Sequence, residues 1–173
     1  GGELIASGGL AWAYDGVRWE QRLPIASPGA RYRHRAVWDA ARRRVVLFGG
    51  LKPAASAETW EWDGLTWLER RPLVSPPAAS TSDALGMAFD SVRKRVVLHG
   101  PSGTWEWDGV TWHHPSSPTR PSAVQDFTIA FDAARERIVL FGGRISTFAS
   151  DPMLNETWLW DGVAWRRAAP GLA

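Results

Sequence analysis

The chain of 173 residues contains no cysteine, two methionines, two tyrosines and two lysines. Without cysteine it forms no disulfide, no thiolate metal site and no cysteine nucleophile, although this leaves the cellular compartment open. No run of about 18 apolar residues occurs, so the sequence predicts no membrane-spanning helix. The longest apolar runs, such as residues 45–48, have the length of a strand.

The composition indicates a folded domain. Hydrophobic residues make up 45% of the chain, which is too high for a disordered segment. The formal net charge is +2, and arginine supplies nearly all of the positive charge. The arginines are spread over the chain instead of being gathered in a basic tract, so we expect no nucleic-acid partner.

A nine-residue motif that contains most of the twelve tryptophans occurs four times. The copies read AWAYDGVRW at 11–19, TWEWDGLTW at 59–67, TWEWDGVTW at 104–112 and TWLWDGVAW at 157–165. Aromatic and β-branched residues on both sides of Asp-Gly are typical of a β-hairpin. With Asp63 and Gly64 as a two-residue turn, Trp60 would face Trp67 across the hairpin and share a face with Trp62 and Leu65. The same register applies to the other copies.

A second motif lies between the copies of the first. It reads WDAARRRVVLFGG at 38–50, FDSVRKRVVLHG at 89–100 and FDAARERIVLFGG at 131–143. The pattern predicts a strand that ends at Asp, a short turn closed by the Arg three residues later, and a buried apolar strand. The two motifs together predict a unit of four short strands that repeats every 45–53 residues.

The order and period of these motifs resemble those of kelch-repeat β-propellers, the superfamily of the galactose oxidase central domain. The resemblance implies an all-β propeller in which the first strand of each unit lines a central channel. It also implies a scaffold role for the Trp hairpins, namely Trp60, Trp62, Asp63, Gly64, Trp67, Trp105, Trp107, Asp108, Gly109, Trp112, Trp158, Trp160, Asp161, Gly162 and Trp165.

The number of motifs predicts about three and a half four-stranded blades. We expect one partial propeller domain over 1–173, with an outer half-blade at 1–23 and blades at about 32–69, 83–113 and 125–167. Gly1 and Gly2 look like the end of an absent apolar strand. Since propellers have four to eight blades, this predicts a piece of a six- or seven-bladed propeller that self-associates through its open ends.

The loops that follow the apolar strands vary between units, and variable loops on a rigid scaffold usually carry binding. Five polar residues near this side are candidate binding groups, although a structural role is the alternative for each. They are Arg31, Arg33, His34, His99 and Arg144. His113 and His114 are adjacent in the chain and so point to opposite faces of a strand, which makes them a poor metal pair.

No catalytic set is apparent, and we expect neither a cofactor nor a metal. The copper chemistry of galactose oxidase requires a cysteine-linked tyrosine, and this chain has no cysteine. The Asp-to-Trp spacing of four residues differs from the spacing of five in sialidase Asp boxes. The sequence therefore favours a non-catalytic module that binds a protein or a glycan. The alternative is a fragment of a propeller enzyme that acts on carbohydrate, with active residues partly in missing blades.

Overall fold

The computed structural model describes residues 3–7, 10–79, 85–122, 125–145 and 152–169. These parts of the chain form strands and no helix. None of the described residues therefore forms a helix able to cross a membrane.

The strands form successive antiparallel sheets. The first sheet consists of β1 (Glu3–Ser7), β2 (Leu10–Tyr14) and β3 (Trp19–Arg22). The second consists of β4 (Arg35–Asp39), β5 (Arg44–Phe48), β8 (Thr59–Trp62) and β9 (Trp67–Arg70). Between β5 and β8 the chain forms a small separate hairpin of β6 (Leu51–Lys52) and β7 (Ala54–Ala55). The third consists of β10 (Gly86–Asp90), β11 (Arg95–Gly100), β12 (Gly103–Trp107) and β13 (Trp112–His113). The fourth consists of β14 (Gln125–Asp132), β15 (Arg137–Arg144), β16 (Thr157–Trp160) and β17 (Trp165–Arg167).

The second, third and fourth sheets pack face to face in chain order, with their first strands close together. Strand β10 contacts both β4 and β14. One apolar core lies between the second and third sheets and another between the third and fourth. The prediction of an all-β protein with four-stranded units in a propeller-like arrangement is confirmed.

The first unit corrects one prediction, because it has three strands instead of two. Strand β1 pairs with β2 in the register that β5 forms with β8, so Leu4 lies opposite Ala13 as Val46 lies opposite Glu61. The segment ELIAS is therefore the counterpart of the apolar strand VVLF. The composition of ELIAS hid the match, since only two of its residues are large and apolar.

The register of the Trp hairpins was also predicted wrongly. Trp62 lies opposite Trp67, whereas Trp60 lies opposite Glu69. Asp63 pairs with Thr66, so that Gly64 and Leu65 form the tip of the turn. The same shift gives the close ring pairs Tyr14–Trp19, Trp62–Trp67, Trp107–Trp112 and Trp160–Trp165, with centroids 5.1–5.6 Å apart.

The physical reason for the shift is the side chain of the Asp. Asp63 Oδ1 accepts hydrogen bonds from the backbone N–H groups of Leu65 and Thr66, at 2.8 and 2.9 Å. Asp63 therefore stands at the base of the turn and caps it, as Asp often does. Leu65 moves to the tip, where it is 81% exposed instead of sharing the Trp face.

The Asp-x-x-Arg turns form as predicted. Asp39 accepts hydrogen bonds from the backbone N–H of Arg42 at 3.0 Å and from its guanidinium at 2.7 Å. The turns at Asp90 and Asp132 repeat this pairing with Arg93 and Arg135. Each turn thus holds an arginine at a fixed position at the edge of its sheet.

Arg42 and Arg93 also reach the next sheet. The guanidinium of Arg42 donates to the carbonyl oxygen of Lys94 at 3.0 Å and lies against Gly109. Arg93 lies in the same way against Gly162. The two kinds of turn therefore meet on one side of the molecule, and we call this side the turn face.

Buried hydrogen bonds from the tryptophans of the Trp motif join one sheet to the preceding sheet. Trp107 Nε1 donates to Glu61 Oε1 at 3.0 Å, and Trp160 Nε1 donates to Glu106 Oε1 at 2.9 Å. The second tryptophan of each pair donates to a threonine of the preceding sheet, Trp112 to Thr59 and Trp165 to Thr104, at 2.9 and 2.7 Å. Thr and Glu thus lie on the face that meets the following sheet, which we call the leading face. The Trp pair lies on the opposite, trailing face.

We expect Gly162→Ala to destabilise the fold more than Gly64→Ala. Both glycines have positive φ, 96° and 105°, so alanine costs about 1–2 kcal/mol at either position. A Cβ at Gly162 would also lie 2.2 Å from Arg93 Nη1, whereas one at Gly64 would have no neighbour within 4 Å. Urea denaturation of both variants measures the difference, and equal losses would contradict the packing of Arg93 on Gly162.

Trp107→Phe should lower the free energy of unfolding by about 2–4 kcal/mol. The change removes packing at a fully buried position and leaves Glu61 Oε1 without its donor. Trp60→Phe is the matched control, because Trp60 is only partly buried and bonds to Glu58 within its own sheet. Its cost should be about 1 kcal/mol in the same denaturation experiment. A larger loss for Trp60→Phe would show that the sheet-to-sheet bond matters less than the local one.

Candidate functional site

The side opposite the turn face carries the loops that differ most between units, and we call it the loop face. After β5 the chain forms the β6–β7 hairpin, whereas β11 and β12 are joined directly at Gly100 and Gly103. After β15 the segment 146–151 lies outside the described residues. The links between sheets also reach this side, and they are rich in proline.

A small apolar cavity of about 120 Å³ opens on the loop face at the third sheet. Its walls are the link 76–79 and the turn 100–103, and its floor includes Leu85, Leu98 and Trp105. Among the described residues that line it, Ser102 has the only polar side chain, and its hydroxyl accepts a hydrogen bond from Trp105 Nε1 at 3.2 Å. The cavity thus offers apolar surface and few hydrogen-bonding groups.

The cavity lies where the repeat departs from its own pattern. In the second and fourth sheets a glutamate two residues before the first tryptophan accepts its indole N–H, from Trp60 to Glu58 and from Trp158 to Glu156. In the third sheet that position is Gly103, and His114 stacks on the Trp105 ring with centroids 4.3 Å apart. Trp105 was expected to be part of the scaffold alone, and the sequence signal for this difference is the absence of the glutamate at position 103.

A larger, open cleft of about 430 Å³ lies beside the link on the second sheet. Its lining is polar and carries both signs of charge, with Lys52 and Glu58 on one side and Glu69 and Arg71 on the other. Glu69 and Arg71 form an exposed ion pair at 2.7 Å. Pro72 and Ser75 border the cleft and residues 76–79 border the cavity, so the two depressions share one link.

Arg31 is placed inside the protein. Its guanidinium donates to the carbonyl oxygens of Gly49 and Pro28 and to Glu58 Oε2, and its side chain is 2% exposed. Burial alone would raise the pKa of Glu58, but hydrogen bonds from Lys52 and Arg31 outweigh it and lower the pKa to about 2. The arrangement fixes the start of the β6–β7 hairpin and leaves Arg31 no free surface for a ligand.

His34 and Arg33 lie close to Arg31 in the second sheet. Burial lowers the pKa of His34, and the charges of Arg31 and Arg35 lower it further. His34 therefore stays neutral at physiological pH. Arg33 is exposed, has a φ of 64°, and places its guanidinium 5.8 Å from the centre of the Tyr32 ring.

His99 lies inside the core between the third and fourth sheets and is 3% exposed. Its Nδ1 is 2.9 Å from Thr104 Oγ1, which also accepts the indole N–H of Trp165. The Thr104 hydroxyl therefore joins the imidazole of His99 and the indole of Trp165 in one buried hydrogen-bond network. The ring also packs edge-on against Phe127 and Trp165. These contacts make His99 part of the sheet-to-sheet packing.

Arg144 ends β15 in the fourth sheet, with its Nε 3.0 Å from Asp126 Oδ2. The five candidate residues thus do not form one site. Arg31, Arg33 and His34 are neighbours, whereas His99 and Arg144 lie in other sheets. None of them lines the apolar cavity. Within the described ranges, no three histidine, aspartate or glutamate side chains come together as a metal site would require.

The geometry defines an all-β, propeller-like protein, and comparison with known proteins agrees at that level. No family model matches the chain, and none of the curated proteins matches it. A solved structure of YjhT superposes on 93% of the chain with a TM-score of 0.61 and 10% sequence identity. The chain spans about half of YjhT, 52% of its length. At this identity the likeness shows the fold alone.

His99 should make the stability of the protein depend on pH. Burial lowers its pKa to about 4 from about 6.5, so the unfolded chain binds more protons between these values. The contribution of neutral His99 to the free energy of unfolding is complete above pH 6.5. It is lost as the pH falls to about 4, and the loss is about 3 kcal/mol.

The variant His99→Phe supplies the control, because phenylalanine occupies the equivalent positions Phe48 and Phe141. Urea denaturation from pH 7 to pH 4 measures the free energy of unfolding of both proteins. The pH dependence that comes from their shared carboxylates cancels when one value is subtracted from the other. The stability of the variant should exceed that of the wild type increasingly as the pH falls. A constant difference would show that His99 is not buried in its neutral form.

Proposed function

We propose that the chain is part of a kelch-type β-propeller of six or seven blades and acts as a non-catalytic binding module through its loop face. The apolar cavity at Trp105 is the observation that carries this proposal. Between the second and third sheets and between the third and fourth, the repeated elements are occupied in holding the sheets together, since the Thr and Glu acceptors bind the indole N–H groups of the Trp pairs there. The loop face differs from unit to unit and is the place where a specific ligand would be recognised.

The cavity suits one aliphatic side chain of a protein partner. Its volume of about 120 Å³ is small, and its walls are prolines, alanines, leucines and one tryptophan. An apolar side chain that enters such a pocket is desolvated on all sides, which is the usual form of an anchor in a protein interface. The adjacent cleft, with Lys52, Glu58, Glu69 and Arg71, would receive the polar residues that flank the anchor.

The same lining favours a protein over a glycan. A sugar requires hydrogen-bonding groups for its hydroxyls, because a buried polar group without a partner is costly. Ser102 already bonds to Trp105, and one face of the Trp105 ring is covered by His114. The described lining therefore offers no free polar side chain, and Trp105 is only 9% exposed, which leaves little aromatic surface for a sugar ring.

Selection from a random-peptide display library tests this function. Peptides with one aliphatic or aromatic anchor should be enriched on the wild-type chain. Ala79→Trp should fill the cavity and weaken their binding by about tenfold or more. Isothermal titration with the selected peptides measures both affinities.

Val110→Ser serves as the control, because Val110 is exposed at an Asp-Gly turn on the turn face. It should bind the selected peptides as tightly as the wild type. Equal binding by Ala79→Trp would place the ligand elsewhere. Enrichment of no peptide, combined with retention on a glycan array, would favour a glycan ligand instead.

A further inference from the structure

The fourth sheet contains a complete carboxylate site on the first tryptophan of its Trp motif. Glu156 Oε2 accepts the indole N–H of Trp158 at 2.8 Å, and Glu156 Oε1 lies 3.1 Å from a guanidinium nitrogen of Arg167. Arg167 lies opposite Trp158 across the hairpin. One carboxylate therefore binds both the indole N–H and the charged residue that faces the tryptophan on the next strand.

The second sheet contains the same type of site, with its cations supplied from other positions. Glu58 Oε2 accepts the indole N–H of Trp60 at 2.9 Å and a hydrogen bond from Arg31 at 2.8 Å. Glu58 Oε1 accepts a hydrogen bond from Lys52. Both glutamates precede their tryptophan by two residues. A carboxylate at this tryptophan is thus a shared feature of these two sheets.

The third sheet keeps the tryptophan and the facing residue but has no carboxylate at this position. The residue two positions before Trp105 is Gly103, and the hairpin register places His114 opposite Trp105. The two rings stack with 4.3 Å between their centroids and 9° between their planes. A Cβ at Gly103 would lie 2.8 Å from His114 Nε2. Both aromatic side chains therefore lie beside the turn 100–103 that borders the apolar cavity.

The hydrogen bond of Trp105 is the longest of the three. Its Nε1 donates to the hydroxyl of Ser102 at 3.2 Å, compared with 2.9 and 2.8 Å to the carboxylates of Glu58 and Glu156. Hydrogen bonds to an ionised acceptor are shorter and stronger than those between neutral groups. The exchange of the Ser102 hydroxyl for a carboxylate oxygen would therefore strengthen the bond of the Trp105 indole.

We propose that the partner supplies this carboxylate, from an Asp or Glu side chain next to the aliphatic anchor that enters the cavity. The inference rests on the proposed function, because the anchor brings the acid to the turn 100–103. Trp105 Nε1 donates to one carboxylate oxygen, and the imidazole of His114 donates to the carboxylate in the place that Arg167 takes in the fourth sheet. An imidazole nitrogen is a donor in one neutral tautomer and in the protonated form.

The source of the carboxylate is a side chain instead of a chain terminus. The complete sites of the second and fourth sheets both hold a glutamate side chain, so the geometry of the repeat is suited to a carboxylate on a short flexible stem. The rest of the cavity lining remains apolar and receives the anchor. The motif that the site selects is therefore an aliphatic residue with an acidic residue beside it.

Matched peptides test this motif. Peptides from the display selection should carry Asp or Glu beside the anchor, and each is synthesised with both ends blocked, once as selected and once with the acid replaced by its amide. Isothermal titration should show the acidic form binding about tenfold or more tightly. Equal affinities, or selected peptides without an acid beside the anchor, overturn the inference and leave the proposed function standing. Enrichment of no peptide overturns both.

The variant His114→Phe locates the carboxylate in the site. Phenylalanine keeps an aromatic ring on Trp105 but has no nitrogen, so the acidic peptide should bind about fivefold or more weakly while its amide counterpart binds as before. His113→Phe is the matched control. His113 points to the opposite face of the strand, where its Nε2 lies 2.8 Å from Asp108 Oδ2, and this variant should bind both peptides like the wild type.

The difference between the two peptides separates recognition of the acid from a structural effect of the ring. If His114→Phe weakens both peptides equally, His114 only supports Trp105, and the inference is overturned. The inference is also overturned if His114→Phe binds the acidic peptide as tightly as the wild type does. A peptide that gains affinity only when its C-terminal carboxylate is left free would identify a chain terminus as the source and overturn the assignment to a side chain.

Discussion

The fold depends on a buried carboxylate that joins two sheets. Glu61 is almost fully buried, its Oε2 accepts two hydrogen bonds from Arg70, and its Oε1 accepts the indole N–H of Trp107 from the next sheet. A buried charge is tolerated only when it is paired and hydrogen-bonded. Glu106 meets the same requirement with Arg93 and Trp160. This bond fixes the lateral position of one sheet on the next, which apolar packing alone would leave adjustable.

The requirement accounts for the composition of the repeat. Trp alone combines a large apolar body with one N–H donor at its edge, so it can fill the space between two sheets and still reach an acceptor on the far side. The alternation of side chains along a strand places Thr and Glu on one face and the tryptophans on the other. A sheet of this kind is therefore incomplete on both faces, and its stability comes largely from its neighbours, as in other repeat proteins.

The sequence predicted the class of fold, the order of the motifs and the Asp-x-x-Arg turns, because each is a local pattern with a local physical cause. It did not predict the hairpin register. Asp-Gly was taken as the tip of the turn, whereas the Asp63 side chain caps two backbone N–H groups and belongs to the base. The roles of Thr59 and Glu61 were also missed. The side-chain oxygens of Glu61 and Thr59 accept hydrogen bonds from tryptophans that lie 46 and 53 residues further along the chain, and no local sequence pattern reveals such a pairing.

The same reasoning separates scaffold from candidate site. The candidate residues Arg31 and His99 proved to be structural: Arg31 is held by groups of its own unit, and His99 packs on Phe127 and Trp165 of the next sheet. The cavity occurs where one unit has lost a scaffold residue, at Gly103, and where the Trp105 N–H turns to Ser102 instead. Where the repeat keeps its pattern, the Glu, Thr and Trp side chains at the interfaces are engaged by the neighbouring sheet. Departures from the repeat, more than its most prominent residues, are therefore the places to look for recognition.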